Sequence, residues 1–145
     1  MSQDEEVDGP AIAAAILNNM DKDRKDRIVK AIAQSDPQIA SKIEENLFQF
    51  TDLETLTPQS VQLLMNEVLH RDIVLSLKTA ETSTKEYLFE NMSERKKALV
   101  LDDFEALPPT RLADVENAQK RILERMEELR AEGKVRTHAP NDVWV

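Results

Sequence analysis

The sequence predicts an all-α fold, and three observations carry that expectation. No stretch alternates apolar and polar residues with period two, several stretches repeat apolar residues at i, i+3, i+4 and i+7, and the helix formers Leu, Ala, Glu, Lys and Arg dominate. Charge then narrows what such a fold can do. There are 19 Lys and Arg against 28 Asp and Glu, a formal net charge of −9 over 145 residues. Phosphate binding needs clustered positive charge, so neither nucleic acid nor an anionic membrane surface is expected as partner. With only Gly9 and Gly133, no glycine-rich phosphate loop or dinucleotide fingerprint can be built. The absence of cysteine removes disulfides, Cys-ligated zinc, iron–sulfur clusters and thiol catalysis together. Apolar runs are only a few residues long, far short of the roughly 20 that cross a bilayer, and the start is acidic where a signal peptide is basic. A soluble, cytoplasmic protein without membrane insertion is expected.

The elements follow in order. Residues 1–10 read as an acidic, disordered leader, since Asp4, Glu5, Glu6 and Asp8 surround one aliphatic residue, Val7, before Gly9-Pro10 breaks the chain. Pro10 suits the first turn of a helix to about Met20, with Ile12, Ile16, Leu17 and Met20 on one face and alanines over much of the rest. A second helix, about Lys22 to Gln34, has a narrow stripe of Ile28, Val29 and Ile32, and Pro37 opens a third with Ile39, Ile43 and Leu47. Thr57-Pro58 is a cap and first-turn proline for a fourth, carrying Val61, Leu64, Met65 and Val68. Two brief helices follow around Ile73, Val74 and Leu77 and around Tyr87, Leu88 and Met92. Ser93 caps a seventh that Pro108-Pro109 must end. The longest periodic run places Leu112, Val115, Ala118, Ile122, Met126 and Leu129 on one stripe, with Gly133 where a helix stop belongs.

The expected organisation is a three-helix unit over 11–50, a hinge over 51–57, a compact five-helix domain over 58–133 and a patternless tail over 134–145. Three-helix units of this length with one helix apolar on several sides are the building blocks of armadillo-like stacks, in which a neighbour covers the exposed face. The first helix therefore predicts a docking partner.

Residues fit for catalysis are scarce. His70 lies at a helix junction and reads as a solvated turn residue, and His138 lies in the tail. Asp102 and Asp103 are neighbours on a helix, about 100° apart, so they cannot share a proton or grip a metal as facing carboxylates do. No enzyme, no metal and no cofactor is expected. On the seventh helix Arg95 and Asp102 lie seven residues apart, about 20° from one another in projection, with Asp103 about 80° round from Arg95. Periodicity alone favours an ordinary solvated face.

Several segments, however, resemble one family in its own order and spacing. They are Ala15-Ile16-Leu17-Asn18-Asn19-Met20-Asp21, Leu47-Phe48-Gln49-Phe50, Leu77-Lys78-Thr79-Ala80, Asn91-Met92-Ser93-Glu94-Arg95, Leu101-Asp102-Asp103-Phe104 and the run from Thr110 to Lys120. The family is the bacterial flagellar motor switch protein FliG, and the likeness, from about Gly9 onward, is to its C-terminal half: the second armadillo-type unit and the stator-facing domain. The resemblance implies that Lys78, Arg95, Asp102, Asp103 and Arg111 are torque-related charges meeting the cytoplasmic loop of the stator. It implies that Leu47, Phe48 and Phe50 form the hinge across which that domain reorients. It also implies that Ile12, Ile16, Leu17 and Met20 dock on a FliG-type middle domain or on a second copy, with FliM a further partner and the cytoplasmic face of the basal body the location. The sequence departs from the family pattern at Thr79, for glycine, at Pro108-Pro109-Thr110, for Gly-Pro-Val, and at Leu47, for methionine. Lys96 and Lys97 replace small residues, and Leu101 takes a position usually polar. Two rival expectations remain: a truncated paralogue serving as helical scaffold or regulatory adaptor, and an acidic decoy for a nucleic-acid-binding protein.

Overall fold

Prolines stand in the first turns of two helices of the first unit, as the sequence places them. In the computed structural model, which describes residues 8–20 and 22–138, the chain divides into two units, Met1–Phe48 and Gln49–Val145. The first holds α1 (Gly9–Leu17), α2 (Lys22–Ser35) and α3 (Pro37–Asn46). Asp36 Oδ1 accepts the amide of Ile39 at 3.1 Å, and Asp8 Oδ1 accepts that of Ala11 at 3.1 Å. Each satisfies one of the amides a helix start leaves open. Asp8, Gly9 and Pro10, expected in the leader, are therefore the cap and first two residues of α1, and 1–7 lie outside the described residues.

α3 packs on both α1 and α2. The core is Ala14, Leu17 and Ile43, with Ala13, Met20, Val29, Ile32 and Leu47 partly buried against it. This corrects the expected single face of α1. Leu17 and Met20 turn inward, while Ile12 and Ile16 are 51% and 55% exposed. The reason is geometric: the small Ala13 and Ala14 supply the inner surface, and α1 stops at Leu17, so Met20 reaches the core from the turn that follows. Ile28 and Ile39, expected on inner stripes, also face outward.

The second unit begins with a 3₁₀ segment, Phe50–Thr55, followed by α4 (Pro58–Glu67), α5 (His70–Ser76), α6 (Thr82–Glu90), α7 (Glu94–Glu105) and α8 (Leu112–Ala131). Thr57 and Ser93 cap α4 and α7 as their spacing predicts, accepting the amides of Ser60 and Lys96. α8 is the spine, with α5, α4 and the 3₁₀ segment against it, while α7 packs on α5 and α6 on the 3₁₀ segment. Its Val115, Ala118, Ile122, Met126 and Leu129 are buried, together with Val61, Leu64, Met65, Ile73, Leu77, Leu88 and Val100. Leu112 departs from the expected stripe and is exposed, being the first residue of α8. After α8, Gly133 takes φ 76, the left-handed conformation that a helix stop requires.

Two expected irregular stretches prove to be built. The 51–57 segment is not an open linker, because Leu53 and Leu56 are fully buried. Within the tail, residues up to 138 return to it. Leu56 and Thr137 form an antiparallel bridge, Thr57 N donates to Arg136 O at 3.0 Å, and His138 N to Thr55 O at 2.8 Å. Val135 is buried, the Arg136 amide donates to Ser60 Oγ at 2.7 Å, and the Tyr87 hydroxyl donates to Leu56 O. A single bridge has no alternating pattern to read, so periodicity misses it. Residues 139–145 lie outside the described ones.

Candidate functional site: an exposed charged face on the second unit

α7 buries Val100 and half-buries Lys96, Lys97, Leu101 and Phe104. Its opposite side carries Arg95, Leu99 and Asp102 at i, i+4 and i+7, all exposed, so a cation and an anion stand about 10 Å apart along one stripe. Between them lies Leu99, 51% exposed, which the sequence reading passed over. The signal was its spacing, four residues after Arg95 and three before Asp102, the neighbours on a helix surface. An apolar side chain flanked by two charges of opposite sign is suited to contact with a protein partner.

The other charges of the expected set are held differently. Among the described residues, the side chains of Lys78, Arg95 and Asp102 make no ion pair. Asp103, one position round from Asp102, is paired. Its Oδ2 lies 2.6 Å from His70 Nε2, with the two side chains 60% and 43% exposed. The His70 expectation is thereby corrected: it is the first residue of α5 and ties that helix to α7. Arg111, immediately before α8, donates from Nε and Nη2 to Asp114 at 3.0 and 3.2 Å. That fork, chiefly its hydrogen bonding, moves the Arg111 guanidinium further above its ordinary value, so it stays cationic. Both contacts are open to water, and the Arg111–Asp114 pair is thus weakly held, since exposed ion pairs contribute only ~0.2–1 kcal/mol.

Lys78 lies just past the C-terminus of α5, where the helix dipole favours a cation. Its turn is fastened to α8: Gln119 Nε2 donates to Ser76 O at 2.9 Å and to Thr79 Oγ1 at 3.0 Å. Thr79 accordingly supplies an acceptor that glycine lacks. It does so without strain, as no non-glycine among the described residues has positive φ. α5 is further anchored through Asp72, buried on its first turn, which accepts from Arg121 Nε and Nη2 at 3.0 and 2.9 Å.

Lys96 is turned from the exposed stripe of α7 toward α4. Its Nζ donates to Met65 O at 2.7 Å, in the last turn of α4, and burial lowers its pKa from the ordinary lysine value. It closes a carbonyl that the end of α4 leaves open and pins the first turn of α7, which carries Arg95. Phe104, at the other end of α7, receives the Lys85 ammonium 5.2 Å from its ring centroid.

At the expected hinge, Leu47 packs on the first unit's core, Phe48 is half-buried, and Phe50 is buried at the start of the second unit. No group of three or more His, Asp or Glu among the described residues could hold a metal ion. No helix among them is long and apolar enough to cross a membrane.

Comparison with known proteins bears on this geometry. The FliG C-terminal domain family model matches residues 30–136. The flagellar motor switch protein FliG of Thermotoga maritima is 39% identical over 129 residues, covering 89% of this chain and 38% of that protein. The FliG of Bacillus subtilis is 34% identical over 120 residues, covering 83% of this chain and 36% of that one. Among solved structures, a FliG crystal structure from H. pylori superposes with TM-score 0.71 at 26% identity over 92% of this chain and 63% of that one. Full-length FliG from Aquifex aeolicus gives 0.64 at 30% identity over 90% and 40%. The chain thus spans about 38% of the length of its first curated relative.

Proposed function

The chain belongs to the FliG C-terminal domain family, and from that premise we propose that it is a rotor and switch module of the bacterial flagellar motor, acting through contact and not through catalysis. The observation that carries the reading is the exposed stripe of Arg95, Leu99 and Asp102 on α7. Lys78 and Arg111 widen it, on the turns after α5 and before α8. The partner is the cytoplasmic loop of the stator, at the cytoplasmic face of the basal body. Exposed charges of both signs attract at short range and are screened beyond about 8 Å at physiological salt, so they engage a passing surface and release it. A dry, extensive interface would hold the rotor still.

In this reading residues 47–50 are the pivot that lets the second unit present its face in two orientations. Ile12 and Ile16 dock on a FliG-type middle domain or a second copy, and FliM is a further contact. Lys96 supports the rotor reading over that of a scaffold without motor role, because its ammonium is spent on α4.

The test is charge reversal in cells that depend on this chain. R95E and D102K each change an exposed side chain, so circular dichroism melting is expected to stay close to the parent. Swimming and switching are expected to fail in either variant. Unchanged motility in both would remove the stator contact from the account.

A further inference from the structure

Turned end for end, the exposed stripe of α7 is its own complement. Arg95 and Asp102, both exposed, lie about 10 Å apart along the helix and about 20° apart around it. Leu99, 51% exposed, stands within about 1 Å of the height of their midpoint and about 40° to one side of Arg95. The exposed Ala98 stands at the same height about 60° to the other side. A second α7 laid antiparallel, about a two-fold axis through that midpoint, sets Arg95 against Asp102 of the copy and Asp102 against its Arg95. Leu99 then meets Leu99 beside the axis, and the small Ala98 lets the two helices approach closely. A parallel copy opposes like charges at both ends, so the pattern selects one direction. Glu94 and Asp103 do not spoil the match, because they lie on opposite edges of the helix, about 180° apart, and the two-fold brings together only residues of the same edge.

We propose that α7 is a self-association surface whose occupant is the α7 of a second copy of this chain, paired antiparallel through Arg95, Leu99 and Asp102. The argument for a second copy is the charge complementarity of the stripe with itself, centred on an exposed apolar side chain. The pair is weak and reversible. One face of a 12-residue helix is small against the roughly 1,200–2,000 Å² that a stable complex buries, and its charges remain close to water. This pairing goes beyond the stator contact and does not depend on it. Both use the same stripe, so a paired chain is one whose face is closed to the stator.

The experiment follows the amides of Arg95, Ala98, Leu99 and Asp102 by NMR as the concentration of the isotope-labelled full chain is raised. The expected result is a saturable shift centred on those four. R95E and D102K each oppose like charges at both contacts of the pair, so either alone is expected to weaken association at least about ten-fold. Labelled R95E mixed with unlabelled D102K is expected to recover it, because each contact between the two variants again joins opposite charges. The double variant R95E/D102K is expected to recover it as well, for the same reason. Motility reads the stator contact separately: in the double variant it is expected to stay lost while pairing returns. Amides of α7 that do not respond to concentration, shifts that persist in both single variants, or a mixture no better associated than its two components would overturn the proposal and leave the stator reading standing.

Discussion

Removing either half of the Asp72–Arg121 pair breaks the same two hydrogen bonds, yet the two removals should not cost the same. Asp72 has a side chain 7% exposed and Arg121 one 52% exposed. If Asp72 is replaced by Ala, the guanidinium is released toward solvent that it already touches. The loss is then about 1 kcal/mol, that of hydrogen bonds partly replaced by water. If Arg121 is replaced by Ala, a buried carboxylate keeps its desolvation and loses its counter-ion. Orphaning a fully buried charge costs ~3–5 kcal/mol. The half-exposed rim and the N-terminal end of α5, whose dipole favours an anion, reduce this to about 2 kcal/mol. Urea unfolding of D72A, R121A and the double variant should therefore rank R121A as the less stable single, with the double variant recovering part of its loss. If D72A proves as costly as R121A, or if the losses simply add, the burial argument is wrong and the pair is an ordinary surface contact.

Two further outcomes follow from features of the same kind. Tyr87→Phe removes the hydroxyl bond to Leu56 O and should cost about 1 kcal/mol at neutral pH. Burial first, and Glu90 second, raise the Tyr87 pKa above 10.0. The phenol's contribution should therefore be full below pH 10.0, fading as pH rises through the higher folded value, so wild type and variant converge in alkaline urea titrations. Ile16→Glu charges the outer face of α1. If that face docks, burial of one isoleucine at ~1.5–3 kcal/mol makes any self-associated or mixed species about 10- to 100-fold weaker by size exclusion with light scattering. A protein that is monomeric and ignores a FliG middle domain before the substitution would discount the docking.

Much of this fold was legible because caps and periodicity are local. Thr57, Ser93 and Gly133 sit where four or five residues of context put them, and the longer helices were expected close to their observed bounds, whereas α6, expected around Tyr87, Leu88 and Met92, runs from Thr82 to Glu90. What was missed depends on residues far apart in the chain. The inward turn of Leu17 and outward turn of Ile16 follow from how closely the alanines let α1 approach its neighbours. The engagement of Lys96 with Met65 O and of His70 with Asp103 spans 31 and 33 residues. Spacing along α7 showed Arg95 and Asp102 on one side. It could not reveal that Asp103 meets His70, whereas the Arg111–Asp114 pair is a local i, i+3 spacing that went unread, and attention to charge drew the eye past Leu99.

The bridge between Leu56 and Thr137 has a topological consequence. It fastens the first and last described stretches of the second unit side by side, as a clasp closes a necklace, and α4 to α8, with the Arg95–Leu99–Asp102 stripe among them, are the beads it encloses.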